Sequence, residues 1–445
     1  MTTKAGHWII ALGALAVVLI DLPAAEAAPT SPSIATNSTD LPFWLSQIDQ
    51  AKAEEARGNW EKAYEYYAYV LSLDRNQPEI KDRFLHSLRN IHRRYRHSDI
   101  AFRQGLVNPH FRMTEALDFY RDMVRKVQEL YLDPSKVRLA RLFHQSIEEL
   151  ALALEDGEFR KLYLKDVPLA EVLEFRSYLR TTYGTMRVTG LNEAVEHVRA
   201  VSKEAGRRLG LNGPLVIVEM ACGVCNCLDE HSFYLTQNDL VSGQMERTVE
   251  AKLLENNVGY LRLAGFHEAS TVSEVDVALD QLRMAGMKVL LIDLRNNGGG
   301  SLDVAVQVAE RFLSTPAPIA TTTGKISKTF QSYNMQAVDV PLIVLIDGNT
   351  ASAAELLAGA LKAHGRAELV GQTTYGKSEV QKLVPVGSGS LGAVRITWAQ
   401  FQIHKTHDLA KQGGIVPNVS QALVEGVPDS QLEAARSRAR SLMMR

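Results

Sequence analysis

The sequence predicts an α/β protein, with an all-helical N-terminal region followed by a core of alternating strands and helices. Three observations predict it. Residues 41–97 and 113 to about 211 keep apolar residues three and four apart, most clearly at Phe119, Met123, Val127 and Leu130, the period of helices with one buried face. After Gly243, short branched apolar runs alternate with amphipathic stretches, the texture of a mostly parallel sheet covered by helices. Two of those runs, 288–294 (KVLLIDL) and 341–346 (PLIVLI), are apolar apart from Lys288 and Asp293, as buried strands are, and each ends in a turn of small and polar residues.

In chain order, the first segment reads as a processing signal. Lys4 precedes an apolar run at 8–20, and Ala25-Glu26-Ala27 is an A-x-A cleavage pattern. Residues 1–28 are therefore expected to direct export to the periplasm or the outside, with an uncleaved N-terminal anchor as the alternative. Residues 29–40 form a flexible lead-in. Within 41–97, Gly58, Ala63 and Tyr67 fall where a tetratricopeptide repeat places a small residue, an alanine and an aromatic. Val70 and Arg75 depart from that pattern, and a plain helical hairpin fits the segment as well. Either form needs a neighbour to cover its apolar face, so this segment is a candidate for self-association or for a protein partner.

The basic stretch 89–97 (RNIHRRYRH) reads as a solvated helix face. Residues 98–112 read as a linker and 113–243 as a helical domain, within which 214–220 is a short strand or the start of a buried helix. Strands are expected at 248–254 and 259–263, joined as a hairpin around Asn256-Asn257. Further strands are expected at 288–294, 319–322, 341–346, 369–371 and 392–398. Helices are expected at 273–284 and 303–312 and after Ser352. The core is assigned to 244–425 and a terminal helix to 426–445.

The chain of 445 residues has a net charge of −2, so no overall field draws it to nucleic acid or to an anionic membrane. Beyond the signal segment, no run is long enough to span a bilayer. The only cysteines are Cys222, Cys225 and Cys227. With His231 nearby they are a conceivable metal site, a local bridge with one thiol left over, or simple buried packing.

The chemistry is narrowed by what the sequence lacks. It has no phosphate-binding loop, no G-x-G-x-x-G, no G-x-S-x-G elbow and no H-E-x-x-H. What remains is serine with lysine. Ser352 stands where a strand hands over to a helix, among unpaired backbone N–H groups. That position suits a helix cap, and it equally suits a nucleophile whose substrate develops an oxyanion. Lys377 follows 25 residues later, in surroundings sparse in carboxylates along the sequence. A lysine serves as general base when desolvation leaves it neutral at working pH.

From Val258 to Val419 the sequence resembles the C-terminal processing peptidases, or tail-specific proteases, which are serine peptidases with a Ser–Lys pair. The residues that carry the resemblance are Val258-Gly259-Tyr260-Leu261-Arg262, the run from Asp293 to Gly300, and Thr350-Ala351-Ser352-Ala353-Ala354-Glu355. Gly365-Arg366-Ala367, Thr374-Tyr375-Gly376-Lys377, Val380-Gln381, Gly414-Ile415-Val416-Pro417 and Asp429-Ser430-Gln431-Leu432 follow in the same order. The resemblance implies a crotonase-like (ClpP/crotonase type) α/β core. It also implies Ser352 as nucleophile, Lys377 as general base and Gln381 as the residue that orients the lysine. The backbone N–H groups of Ala353 and Gly299 would form the oxyanion hole. Glu355 is read as support for the helix start. No metal or organic cofactor is implied, and the substrates would be proteins or peptides.

Weaker matches at Tyr131-Leu132-Asp133-Pro134 and from Asp229 to Leu235 extend the resemblance upstream. Gly298, Ala354 and Ser378 stand where the family usually has proline, serine and glycine. A larger departure concerns the PDZ domain that members usually carry before the core, because only the 22 residues 236–257 lie in that place. The expectation is an exported serine endopeptidase without that domain. The alternative is a non-proteolytic binding or scaffold protein that keeps the fold.

Overall fold

A computed structural model describes residues 43–108, 110–242, 248–267, 269–314, 316–405, 409, 413–424 and 429–443. The expected signal segment and the lead-in lie outside them. Two compact units are formed. One holds the described residues up to Leu240 together with 381–397, and the other holds those of 241–380 and 398–445.

The first unit is mainly helical: α1 (Phe43–Ala56), α2 (Trp60–Leu73), α3 (Pro78–Ser98), α4 (Ile100–Leu106), α5 (Met113–Leu130), α6 (Leu139–Glu155), α7 (Gly157–Tyr163), α8 (Leu169–Thr182), α9 (Leu191–Leu209), α10 (Gly213–Gly223) and α11 (Gln237–Ser242). Ala63, Tyr67 and Val70 of α2 pack on Ile48, Ile80 and Phe84, and a left-handed Gly58 turns the chain from α1 into α2. Phe119, Met123, Phe143, Leu150, Phe175, Val198 and Ile217 lie in the main core.

The expected linker at 98–112 contains α4. Asp99 caps it, accepting from the Phe102 N–H at 3.1 Å, and Phe102 and Leu106 are buried. Residues 214–220 are helical, within α10. One strand departs from the all-helical expectation. This is β1 (Phe233–Thr236), which pairs antiparallel with 392–395 of the returning segment. Cys222, Cys225 and Cys227 are buried free thiols. Among the described residues, no group of metal-ligating side chains and no helix long and apolar enough to cross a membrane occurs.

The basic stretch is not a solvated face. Arg93, Arg96 and His97 are buried, at 1%, 6% and 2% exposure. Their charge is met from two other helices. Arg93 grips Glu149 of α6 with Nε and Nη2 at 2.9 and 2.7 Å. Arg96 Nη2 donates to Glu149 at 3.1 Å and to Glu219 of α10 at 2.6 Å, while His97 Nε2 lies 2.9 Å from Glu219.

Burial alone would raise the Glu219 carboxyl, but Arg96 first, then His97 and Arg93, hold it well below the ordinary range. Its contribution to stability is therefore present above the ordinary carboxylate pKa. It is lost only as pH falls through the depressed one. Glu219→Ala leaves two guanidinium groups short of a buried partner, and is expected to cost about 3–5 kcal/mol, read as a lower urea midpoint.

The second unit is built on a six-stranded sheet, ordered β11-β8-β7-β4-β3-β2. Its strands are β2 (Val249–Leu254), β3 (Val258–Leu263), β4 (Val289–Asp293), β7 (Leu342–Ile346), β8 (Ala367–Gly371) and β11 (Val419–Ser420). All neighbours run parallel except the β2–β3 hairpin. Strands β4 and β7 are buried at every position, as sequences apolar but for the terminal Asp293 of β4 require. Helices α12 (Ser270–Met284), α13 (Leu302–Glu310) and α14 (Ala353–Ala363) pack in the larger apolar cluster, which covers Leu261, Leu290 and Val344. Helix α15 (Ser430–Met443) packs through Ala435 and Ala439 with Tyr260, Leu291 and Ile343.

An antiparallel sheet accompanies it, where the sequence predicted only a mostly parallel one. Strand β5 (Ala317–Gly324) pairs with β6 (Lys328–Ser332) and with the last residues of β10 (Gly392–Ile403). Strands β6 and β9 (Glu379–Pro385) were not read from the sequence, because their partly exposed patterns lack a clear apolar run.

Candidate active site

Three turns meet beyond the carboxyl ends of β4, β7 and β8. The register sets Leu345 beside Asp293 and Ile346 beside Gly371, so adjacent parallel strands release their chains side by side. The turns are then laced together. The Ala351 N–H donates to the Asn297 carbonyl at 2.9 Å, and Thr350 Oγ1 donates to the Leu294 carbonyl at 2.9 Å. The Tyr375 N–H donates to the Thr350 carbonyl at 3.0 Å. Asp347 accepts from the Asn296 N–H at 3.1 Å, and Asn349 Nδ2 donates to Asn296 Oδ1 at 2.8 Å.

Ser352 stands immediately before α14, half-buried, with φ 56° and ψ −116°. A residue with a Cβ strains to hold that conformation, at a cost of about 1–3 kcal/mol. A strained serine between strand and helix is the backbone arrangement of an elbow, although the G-x-S-x-G signature is absent.

Glu355 ties this turn to the lysine. It is fully buried, and its carboxylate accepts four donors. Oε2 takes the N–H groups of Ser352 and Lys377, each at 2.8 Å. Oε1 takes the Gly376 N–H and the Thr374 hydroxyl, each at 2.6 Å. Burial pushes the Glu355 carboxyl above its ordinary range, opposed by these four donors. Glu355 was read from sequence as support for the helix start alone. The sparse carboxylates around Lys377 likewise describe the sequence and not the space, for Glu355 reaches the lysine from 22 residues away. Lys377 itself is buried, at 6% exposure.

Gly299 lies against Ser352. A Cβ on Gly299 would fall 3.0 Å from Ser352 Cβ, 3.0 Å from Ala353 N and 2.9 Å from the Ala351 carbonyl oxygen, and φ is +106° there. Only glycine fits both the conformation and the space. Ala353 opens α14, where N–H groups have no partner within the helix. The two residues predicted for the oxyanion hole are thus brought together. The Gly299 N–H, however, donates to Asn297 Oδ1 at 2.9 Å, in a local turn held by Asn297 Nδ2 on the Leu263 carbonyl at 2.8 Å. Gly299→Ala would press a methyl group against Ser352, and is expected to lower kcat by about 10²–10³-fold, the scale of losing one oxyanion donor. Steady-state assay alongside circular dichroism checks this.

Gln381 sits on β9, four residues beyond Lys377. Its Nε2 donates to Thr397 Oγ1 at 3.2 Å, and its Oε1 accepts from Arg395 at 3.4 Å.

Sequence reasoning gave no role to Asn297, Asp347, Thr350 or Thr374, which hold the three turns. A legible signal existed for Asn297, since an asparagine two residues before a glycine is an Asx-turn pattern. A clamp on the first turn comes from further along the chain. Arg295 grips Asp293 through Nε and Nη2 at 2.9 and 2.7 Å, and Asp429 through Nη1 and Nη2 at 2.6 and 2.9 Å. The guanidinium holds the Asp429 carboxyl below its ordinary range.

Comparison with known proteins finds the following similarities. Residues 257–421 match the family described as Peptidase family S41. A carboxyl-terminal-processing protease of Picosynechococcus sp. is 35% identical over 194 residues, covering 41% of this chain and 46% of the relative. The carboxy-terminal processing protease CtpA of Bacillus subtilis is 30% identical over 192 residues, covering 43% and 40%. Among solved structures, the photosystem II D1 C-terminal processing protease aligns at 22% identity with a TM-score of 0.40, covering 74% of this chain and 97% of that one. The chain spans less than half the length of the two sequence relatives. Residues 257–421 of this chain are thus similar in sequence to peptidase family S41.

Proposed function

We propose that the chain is an exported serine endopeptidase that hydrolyses protein or peptide substrates with Ser352 as nucleophile and Lys377 as general base. The observation that carries this reading is the single carboxylate oxygen of Glu355 that takes the backbone N–H of both residues. One buried atom fixes the spacing of the two chain segments that must exchange a proton.

In this reading neutral Lys377 Nζ takes the proton of Ser352 Oγ as the oxygen attacks the scissile carbonyl. The oxyanion forms toward the Ala353 N–H, and toward Gly299 once its N–H leaves Asn297. The lysine then protonates the departing amine, and water, deprotonated by the same lysine, clears the acyl-enzyme. Gln381 is assigned to orient the lysine. The α1–α2 hairpin, with its repeat-like Gly58, Ala63 and Tyr67, is assigned to a protein partner or to a second copy. The relatives' names as processing proteases support protein substrates.

The test is the rate at which a serine-acylating probe labels Ser352, followed by mass spectrometry across pH. With a lysine base the rate climbs about tenfold per pH unit below the lysine's pKa and then levels. A flat profile from acid to neutral pH with the fold intact overturns the lysine base, and labelling elsewhere than Ser352 overturns the nucleophile.

A further inference from the structure

The six-stranded sheet ends on an open edge. Strand β2 has β3 on one side and, among the described residues, no strand on the other. A row of backbone donors and acceptors left in this way is a template for a further strand. We propose that the edge is an interface between two copies of this chain, each β2 pairing antiparallel with the other across a two-fold axis to make one continuous sheet.

Backbone phase is the first ground. Val249 stands opposite Leu263, and one residue earlier the Ala264 N–H donates to the Thr248 carbonyl at 2.8 Å. Alternate residues of an antiparallel strand turn both backbone groups to the same side. Glu250, Lys252 and Leu254 therefore bond to β3 as Thr248 does. Val249, Ala251 and Leu253 direct their N–H and C=O groups outward, where no hydrogen bond meets them among the described residues.

Charge selects the register. Outward residues face outward residues only when the two-fold axis passes through a residue and not between two. Centred on Lys252, the pairing sets lysine against lysine. Centred on Glu250, it sets glutamate against glutamate and overlaps less of the strand. Centred on Ala251, it overlaps from Val249 to Leu253 and sets Glu250 of each copy opposite Lys252 of the other. These two pairs fall at the positions without hydrogen bonds, where opposed Cα atoms come closest, at about 4.5 Å. Within one copy the charges are left available. Glu250 stands opposite Arg262, whose Nη1 lies 3.7 Å from Asp293, and Lys252 stands opposite Tyr260, with Nζ 5.0 Å from the ring centroid. Neither forms an ion pair among the described residues.

The opposite face supplies apolar contact. Leu253, 39% exposed, would lie against Val249 of the second copy, and Ala251 against its own equivalent. Helix α12, which packs on β2, exposes Val277 and Met284 seven residues apart, at 57% and 79%. A peptide of arbitrary sequence could use the outward backbone groups, but only a second β2 answers the order of glutamate and lysine.

The test is sedimentation equilibrium of the full chain over the micromolar range, with circular dichroism of each variant. The unaltered chain is expected to show a monomer–dimer equilibrium. Glu250→Lys alone and Lys252→Glu alone each place like charges at both pairs, and each is expected to weaken the dimer about 10–100-fold. An equal mixture of these two variants opposes lysine to glutamate again, and is expected to associate as tightly as the unaltered chain. The double swap, Glu250→Lys with Lys252→Glu, restores the pairs within one sequence and should do the same. Ala251→Pro removes the central outward N–H, spares the bonds to β3, and should abolish the dimer. A chain that stays monomeric throughout the range overturns the proposal. So does a dimer unmoved by the single charge changes, as one formed through the α1–α2 hairpin would be, or a mixture no tighter than either variant alone.

Discussion

Lys377→Ala is expected to lower kcat/KM on an unfolded protein substrate by about 10³-fold or more, and Ser352→Ala by at least as much. A serine hydroxyl is a poor nucleophile at neutral pH, and in the proposed mechanism the acid–base work of both half-reactions falls to one amine. Because the two side chains act as a unit, the double variant should be no slower than the slower single one. That non-additivity separates a catalytic pair from two independent structural defects, whose effects would multiply. Circular dichroism of each variant completes the measurement, because Lys377 is buried and its removal also leaves a cavity. Hydrolysis that survives both single replacements sinks the Ser–Lys assignment.

Replacing Glu355 is expected to damage stability and turnover together. Glu355→Ala strands four buried donors, those of Ser352, Lys377, Gly376 and Thr374. At about 1–3 kcal/mol for each unsatisfied group, with neighbours partly compensating, the loss should reach about 3–6 kcal/mol in urea unfolding. Glu355→Gln is nearly isosteric, yet it turns one oxygen into an amide that faces two donors. It should therefore fold and still turn over slowly.

Acid gives a second readout of the same group. Burial raises the Glu355 carboxyl above the value of 4.5 it has in an unfolded chain. Its protonation then favours the folded state, so its contribution to stability is fully present below that unfolded value and is lost as pH rises through the folded one. Activity runs the other way, because the protonated carboxyl cannot accept all four donors. Turnover should fail on acidification at a pH above the ordinary glutamate range, before any loss of fold traceable to Glu355. An activity profile and a melting profile over the same buffers check this.

The parallel sheet was legible because β4, up to its terminal Asp293, and β7 are short branched apolar runs between polar turns, the pattern of strands buried on both faces. Residue types and order brought Ser352, Lys377 and the glycine turn forward as candidates, and the fold draws the turns that bear them together. What stayed hidden were pairings across long sequence separations. A run of arginines and histidines looks solvated until Glu149 and Glu219 are known to face it, 56 and 122 residues onward. Glu355 resembled an ordinary first-turn carboxylate, since nothing local says that a later turn folds back onto it. Strands β6 and β9 carry too little apolar pattern to announce themselves, their order coming from partners on β5 and β10.

The clamp on Arg295 sets an order of assembly. Asp429 is made 52 residues after Lys377, so the chain emerging from the ribosome presents serine, lysine and glycine turn before Arg295 has its second carboxylate. The turn that bears Asn297 and Gly299 gains its final brace only when the segment from Asp429 through α15 docks. Rigidity of the glycine turn and docking of the last segment are thus one event: a chain cut short of Asp429 keeps every residue of the three turns and lacks the outer brace on the first.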